Sequence, residues 1–262
     1  MLMTSKKWLR QIFSVLETGN LLFLKLLWKN RSQARVFPGM IFRDYMSLAG
    51  REKWVCRDLF KILAIPPGTR ITLEHMTGNG IASPLDELAY LALVTQVLQP
   101  KQIMEIGTFR GRTALNFALN SPPDCRVLTL DLPPKNRALM QASTNAADAN
   151  IIEQSQSGID YRDKDVSHKI EQLYGNSLEY DFSSYYGQID LVFVDGAHHY
   201  DAVVSDTRQA LQLVRPGGAI IWHDFANYGD YHDVTRAILA EIGGDHITQI
   251  SNTQLAIYLA PK

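Results

Sequence analysis

The sequence predicts a doubly wound α/β fold: a mostly parallel, seven-stranded sheet ending in an antiparallel C-terminal hairpin and preceded by an N-terminal helical extension. Three observations carry this reading. From residue 102 onward, short apolar runs alternate with helical segments, and strands spaced by helices form parallel sheets with right-handed crossovers. The stretch Gln102–Ile106, a glycine turn from Gly107 to Gly111 and a helix opening near Arg112 make a strand–turn–helix. Its free helix N–H groups would point at an anionic or carboxylate-bearing ligand above the strand end. Finally, His246–Ile250 and Gln254–Leu259 flank Asn252-Thr253 and read as a hairpin.

Composition sets the outer limits. The 262 residues are 46% hydrophobic and 20% charged, as in a globular protein with one large core and an appendage. Cys56 and Cys125 stand far apart in no metal-ligand spacing, which argues against a disulfide framework and for a reducing compartment. Residues 1–70 hold 13 basic and 4 acidic residues, and the remainder 13 basic and 23 acidic, so a basic appendage precedes an acidic body. An acidic body argues against nucleic acid as a partner. The apolar run Leu21–Trp28 is broken by Lys25, has no small-residue cleavage site after it, and falls far below the ~20 residues that span a bilayer. The expected location is therefore cytoplasmic.

In chain order, Trp8, Leu9, Ile12, Phe13 and Leu16 recur at helical spacing, and Leu21–Trp28 forms a second helix. Packing on the body or on a second subunit of a homo-oligomer is the plain role for these helices. Trp, Phe and Leu interleaved with Lys and Arg also suit a peripheral membrane contact. Residues 40–65 read as helical and end at Ile65-Pro66-Pro67-Gly68. The expected division is a basic helical extension over residues 1–70 and a catalytic domain over residues 71–262. After the loop Thr77–Ser83, a helix runs to about Leu98, with Ser83 as cap, Pro84 in the first position and Asp86 completing a capping box.

Arg126–Leu130 is a strand ending in Asp131, and Asn136 to about Ala149 is helical. Residues 150–167 read as a polar, irregular surface insertion. Lys169–Tyr174 is a third strand, and the uniformly apolar Ile189–Val194 a buried central one. A helix follows from Asp201 to Leu213, then the strand Ala219–Trp222 and a helix from Val234 to Ile242. Ligands of open parallel sheets sit beyond the carboxyl ends of the strands. At those ends stand Glu105 and Gly107, Asp131, Asn176 and Ser177, Asp195, and His223 with Asp224. Asp131, about 20 residues past the glycine turn, is placed to accept hydrogen bonds from ribose hydroxyls.

Met104-Glu-Ile-Gly-Thr-Phe-Arg-Gly111, with Asp131, Asp195 and Leu213-Val-Arg-Pro-Gly-Gly-Ala-Ile-Ile-Trp-His-Asp224, resembles the class I S-adenosylmethionine-dependent methyltransferases, whose fold is Rossmann-like. The similarity covers roughly residues 77–262. The glycine motif and the Arg-Pro-Gly-Gly strand resemble the catechol-type O-methyltransferases. Asp195-Gly-Ala-His-His-Tyr200 resembles the D-G-x-H-x-Y segment of a related group that includes sugar and macrolide O-methyltransferases. The resemblance implies S-adenosylmethionine as cofactor. It places Glu105, Gly107, Thr108, Gly111 and Thr113 around the amino-acid end, Asp131 on the ribose, Asn176 or Ser177 along the adenine, and Asp195 beside them.

Two departures from the catechol type matter. Its Lys three residues after the first metal-binding Asp is His198 here, and its Asn after the second is Phe225. The carboxylates Asp195 and Asp224 remain to hold Mg²⁺, and four histidines nearby (His198, His199, His223, His232) open the alternatives Zn²⁺ and Mn²⁺. The expected catalytic residues are thus His198, Asp195 and Asp224, with the same three as metal ligands and His198 as general base. The expected reaction is O-methylation of a small-molecule or glycosyl hydroxyl. The alternatives are a catalytically silent binding protein working through its basic helices and a nicotinamide-dependent dehydrogenase, which the missing middle glycine disfavours.

Overall fold

The structure, a computed structural model, describes residues 54–76, 83–136, 146–227 and 231–262. The expected helices at residues 8–16 and 21–28, and most of the loop at 77–83, lie outside the described residues. Among the described residues no helix is long and apolar enough to cross a membrane.

The elements are β1 (Val55–Arg57), α1 (Leu59–Ile62), α2 (Leu85–Leu98), β2 (Gln102–Ile106), α3 (Arg112–Asn120), β3 (Arg126–Asp131), α4 (Ala146–Gln154), β4 (Ile170–Tyr174), β5 (Ile189–Val194), α5 (Tyr200–Leu213), β6 (Val214–Trp222), α6 (His232–Ile242), β7 (Thr248–Ile250) and β8 (Ala256–Leu259). One sheet orders them β1-β7-β8-β6-β5-β2-β3-β4. All neighbours are parallel except β8, which runs antiparallel to both β6 and β7. The expected fold class stands, with one correction: among the described residues the sheet has eight strands. The additional strand, β1, comes from a stretch whose spacing read as helical. It pairs with β7 through Val55↔Thr248 to Arg57↔Ile250. Trp54 anchors it, its Nε1 donating to Gln249 Oε1 at 3.0 Å and its ring meeting Phe225 edge-on at 5.2 Å.

Two apolar layers cover the sheet. One gathers Met104, Leu128, Val192, Ile220, Trp222 and Ile238, the other Leu91, Ile103, Phe117, Val127, Phe193 and Ile257. Strands buried on both faces explain why β5 reads as an unbroken apolar run. At the amino-terminal edge, Asp190 Oδ2 accepts from the backbone N–H of Lys101 and of Gln102, both at 2.8 Å, and Oδ1 accepts from Arg215 Nε at 2.5 Å. One buried carboxylate thereby staples β2, β5 and β6, leaving the opposite rim free for chemistry.

Several boundaries move for stated reasons. Pro84 itself takes the cap position of α2, so Ser83 does not cap; its carbonyl instead accepts from Arg112 Nη1 at 2.7 Å. The helix expected over 136–149 is described only from Ala146 and continues to Gln154. Residues 150–167 are no detached insertion. Ser155, Ser157, Asp160 and Tyr161 are buried there, and Tyr161 Oη donates to Gln172 Oε1 at 2.8 Å. Polarity in this stretch reflects internal hydrogen bonding rather than exposure to water.

Candidate functional site

A cleft of about 510 Å³ opens at the carboxyl ends of β2 to β6, within the usual range for small-molecule sites. Its first wall is the glycine turn. Gly107 has φ +101°, and a Cβ there would stand 1.9 Å from the Asp195 carbonyl oxygen. Gly111 has φ +88°, and its Cβ would meet the Tyr161 ring at 2.5 Å. Both positions therefore demand glycine on two counts, conformation and space. Thr108 and Thr113 line the cleft, whereas Glu105 lies beneath its floor, nearly inaccessible. Gln172 Nε2 donates to Thr108 Oγ1 (3.0 Å), the Thr108 and Thr129 hydroxyls meet at 2.7 Å, and Thr129 donates to Glu105. Burial pushes the Glu105 carboxyl well up, the Thr129 hydrogen bond pulls it partly back, and Asp195 and Asp131 push it further.

Asp131 closes the next wall. Its Oδ2 accepts from Ser155 Oγ at 3.1 Å and from Ser157 Oγ, and its Oδ1 from the Leu132 N–H at 2.8 Å. The two serines come from the stretch read as an insertion, so this segment holds the carboxylate in place. Asn176 and Ser177 line the cleft beyond β4. Beneath Ser177 and Gly196 lies Asp206 of α5, fully buried, with neither carboxylate oxygen in a hydrogen bond. Burial pushes it up to about 7, and the neighbouring Ser177 hydroxyl pulls it partly back.

The far end is a chain of alternating carboxylates and imidazoles. Asp148 Oδ1 lies 2.6 Å from His198 Nδ1, and His198 Nε2 lies 3.1 Å from Asp224 Oδ2. The same Asp224 oxygen is 2.9 Å from His223 Nδ1, which stands 3.3 Å from Asp195 Oδ1. His223 Nε2 reaches Glu87 Oε2 of α2 at 2.8 Å. Tyr231 stacks on the His198 ring at 4.1 Å. Burial works to lower His198, but the hydrogen bonds it donates to Asp148 and Asp224 prevail and hold it up at about 10. His223 is likewise raised: burial opposes, and Asp195 and Asp224 prevail. Asp224 moves the opposite way, since burial is outweighed by the neighbouring His223 charge and the His198 hydrogen bond.

The structure thus brings Asp195, His198 and Asp224 together, and one donor atom from each lies within 4.8 Å of the others. It does not gather all four histidines. His199 caps α5, accepting from the Ala202 N–H at 3.4 Å, and His232 opens α6 outside the cleft lining. Sequence reasoning missed Glu87, Asp148 and Tyr231, because each comes from an element whose partner is set only by the fold. It also missed Arg112. That buried guanidinium donates to the carbonyls of His75 (2.6 Å), Met76 (3.3 Å) and Ser83 (2.7 Å), tying the end of the 54–76 stretch to Ser83 on the cleft wall.

Fold and site together are similar to those of class I methyltransferase domains. In agreement, the family profile described as "Methyltransferase domain" matches residues 104–225. Among curated relatives, a caffeoyl-CoA O-methyltransferase of Pinus taeda is 27% identical over 155 residues, covering 58% of this chain and 53% of its own length. A second, from Zea mays, is 28% identical over 150 residues, covering 57% and 51%. The chain thus spans about half the length of these relatives. Solved structures with a similar trace include the O-methyltransferase TomG of Streptomyces achromogenes in complex with S-adenosylmethionine (TM-score 0.47, 20% identity, covering 70% of this chain and 83% of that one). A methyltransferase of Podospora anserina bound to S-adenosylhomocysteine has a TM-score of 0.49 at 17% identity, covering 70% and 81%.

Proposed function

We propose that this protein transfers the methyl group of S-adenosylmethionine to a hydroxyl oxygen of a small-molecule or glycosyl acceptor. The observation that carries the reading is the pairing of His198 with Asp148 at 2.6 Å on the wall of a cleft whose other end is the glycine turn backed by Asp131. When bound, the cofactor supplies an activated methyl on a sulfonium. The chain's task is to align the acceptor oxygen and remove its proton.

On this reading Thr108, Thr113 and the first N–H groups of α3 receive the amino-acid end, Asp131 accepts from the ribose, and Asn176 and Ser177 border the adenine. Relatives named as caffeoyl-CoA O-methyltransferases support an oxygen acceptor. Asp148 fixes His198 through Nδ1, which leaves Nε2, now 3.1 Å from Asp224 Oδ2, to serve the acceptor as general base. Stacking on Tyr231 sets the ring plane. In the alternative in which His198 Nε2 is a ligand rather than the base, Asp195, His198 and Asp224 would hold a divalent cation, which would favour ionisation of the acceptor hydroxyl. Placement in the cytoplasm and association of the basic N-terminal segment with the body, a second copy or a membrane surface accord with the charge pattern.

The test combines binding and turnover. Calorimetry should show S-adenosylmethionine binding and no NAD binding; the reverse result sinks the proposal. With a phenol or sugar acceptor, His198→Asn should lower kcat by about 10²–10⁴-fold with cofactor affinity unchanged. A base works deprotonated, so kcat rises as pH climbs through the His198 value, held up at about 10. Asp148→Asn removes an anion that raises it, and should shift the ascending limb of the pH–rate profile to lower pH. A limb that stays in place would exclude His198 as the base.

A further inference from the structure

We propose that Ser155 couples the two halves of the cofactor site. A ribose diol bound at Asp131 frees the Ser155 hydroxyl hydrogen for the Phe109 carbonyl, and this tightens the glycine turn that receives the amino-acid end. The proposal rests on the methyl-transfer reading of the cleft. It makes Ser155 a positioning residue, set by the nucleoside half of the ligand.

Three observations carry it. The first is proton counting. Ser155 is buried on the cleft wall, and its Oγ stands 3.1 Å from the Phe109 carbonyl oxygen and 3.1 Å from Asp131 Oδ2. A hydroxyl carries one hydrogen, so the two acceptors compete for it. Both distances exceed the roughly 2.7–2.8 Å usual for O–H···O bonds, as befits a hydrogen that neither acceptor holds outright.

The second is crowding at Asp131. Its Oδ2 also accepts from the Ser157 hydroxyl, and its Oδ1 accepts from the Leu132 N–H at 2.8 Å. A carboxylate oxygen offers about two lone-pair sites. A vicinal diol that donates to both oxygens therefore needs a place on Oδ2 that a serine now fills. Ser155, with a second acceptor at the same distance, is placed to yield.

The third is the turn to which the Phe109 carbonyl belongs. Phe109 is a non-glycine residue at φ +51°, a conformation that persists only where its surroundings hold it. The brace comes from the 155–161 stretch. The Asp160 N–H donates to the Arg110 carbonyl at 3.0 Å, Asp160 Oδ1 pairs with Arg110 Nη2 at 3.0 Å, and the Tyr161 ring lies against Gly111. Of these braces, Ser155 is the one that also touches Asp131. Filling the ribose end thus firms the amino-acid end, and by linkage the effect is mutual.

The test is hydrogen exchange of the backbone amides at 107–112 in the full-length protein, read by mass spectrometry, with each nucleoside at a saturating concentration set by calorimetry. Adenosine carries no amino-acid end, yet it should slow exchange in this turn about 2–10-fold, the worth of one hydrogen bond. Dideoxyadenosine, which lacks the diol, should leave exchange unchanged. Ser155→Ala should abolish the adenosine effect. Ser157→Ala should reduce it, because a place on Oδ2 is then open without Ser155 moving. A serine that only supports the fold would speed exchange in the free protein and leave the response to adenosine intact. No protection by adenosine in the wild type, equal protection by dideoxyadenosine, or protection retained in Ser155→Ala overturns the proposal. If Ser155→Ala does not fold, Ser157→Ala decides: protection as large as in the wild type overturns it. Binding of S-adenosylhomocysteine to the same samples separates the two readings. Wild type that binds it while adenosine leaves the turn unprotected keeps methyl transfer and loses the coupling; wild type that binds neither loses both.

Discussion

At the scale of single residues, Asp131 and Asp206 show how burial and partners set opposite fates for a carboxylate. Asp131 is surrounded by donors from Ser155, Ser157 and Leu132, which keep it oriented toward the cleft. Under the proposed function, Asp131→Ala should weaken S-adenosylhomocysteine binding about 10- to 100-fold, the worth of hydrogen bonds to a charged acceptor, measured by calorimetry. Asp206 has no hydrogen-bonded oxygen and is pushed up to about 7. Its folded value lies above the unfolded value near 3.9, so the native state binds this proton more tightly. Stability from this group is complete below about pH 4 and is lost as pH rises toward 7, by at most roughly 4 kcal/mol. Asp206→Asn should flatten that part of the urea-unfolding profile between pH 5 and 8; an unchanged slope would show that Asp206 is ionised in the native protein. Residues at strand ends, such as Asp131, Asp195 and Asp224, were legible because strand periodicity places them on one rim. Glu87 and Asp148 were not, because a helix pattern tells which face is apolar and says nothing of which histidine a buried carboxylate will meet.

At the scale of elements, β1 is the instructive misreading. Three residues with mixed exposure (Val55 partly buried, Cys56 and Arg57 exposed) carry no period-two signal long enough to outweigh a helical surrounding. Pairing with β7 and the Trp54 contacts decide the conformation, so tertiary context overrides local propensity. Trp54→Ala should cost about 2 kcal/mol in denaturant unfolding, below the value for a fully buried aromatic because the ring is half-buried. A loss under 0.5 kcal/mol would mean that this edge adds little to the fold. Residues 150–167 teach the reverse lesson. Their polarity suggested solvent, yet Ser155, Ser157 and Tyr161 use polar atoms to hold Asp131 and Gln172. By contrast β2, α3, β5 and α5 were readable almost to the residue, since long apolar runs and amphipathic helices respond to the same periodicities that burial imposes.

At the scale of the molecule, the alternation of strands and helices made the parallel sheet legible, and with it the rim where the cleft lies. The order in which strands lie side by side was not, because crossovers of similar length reach more than one neighbour. That order has a temporal meaning. Trp54 and its partner Gln249 are 195 residues apart, and at roughly 5–20 residues per second of synthesis the one leaves the ribosome about 10–40 s before the other. The strand that finishes the sheet is therefore made before the strands it follows in space. Until Thr248–Ile250 emerges, Val55–Arg57 waits without its partner strand, and this border of the sheet is sealed only then.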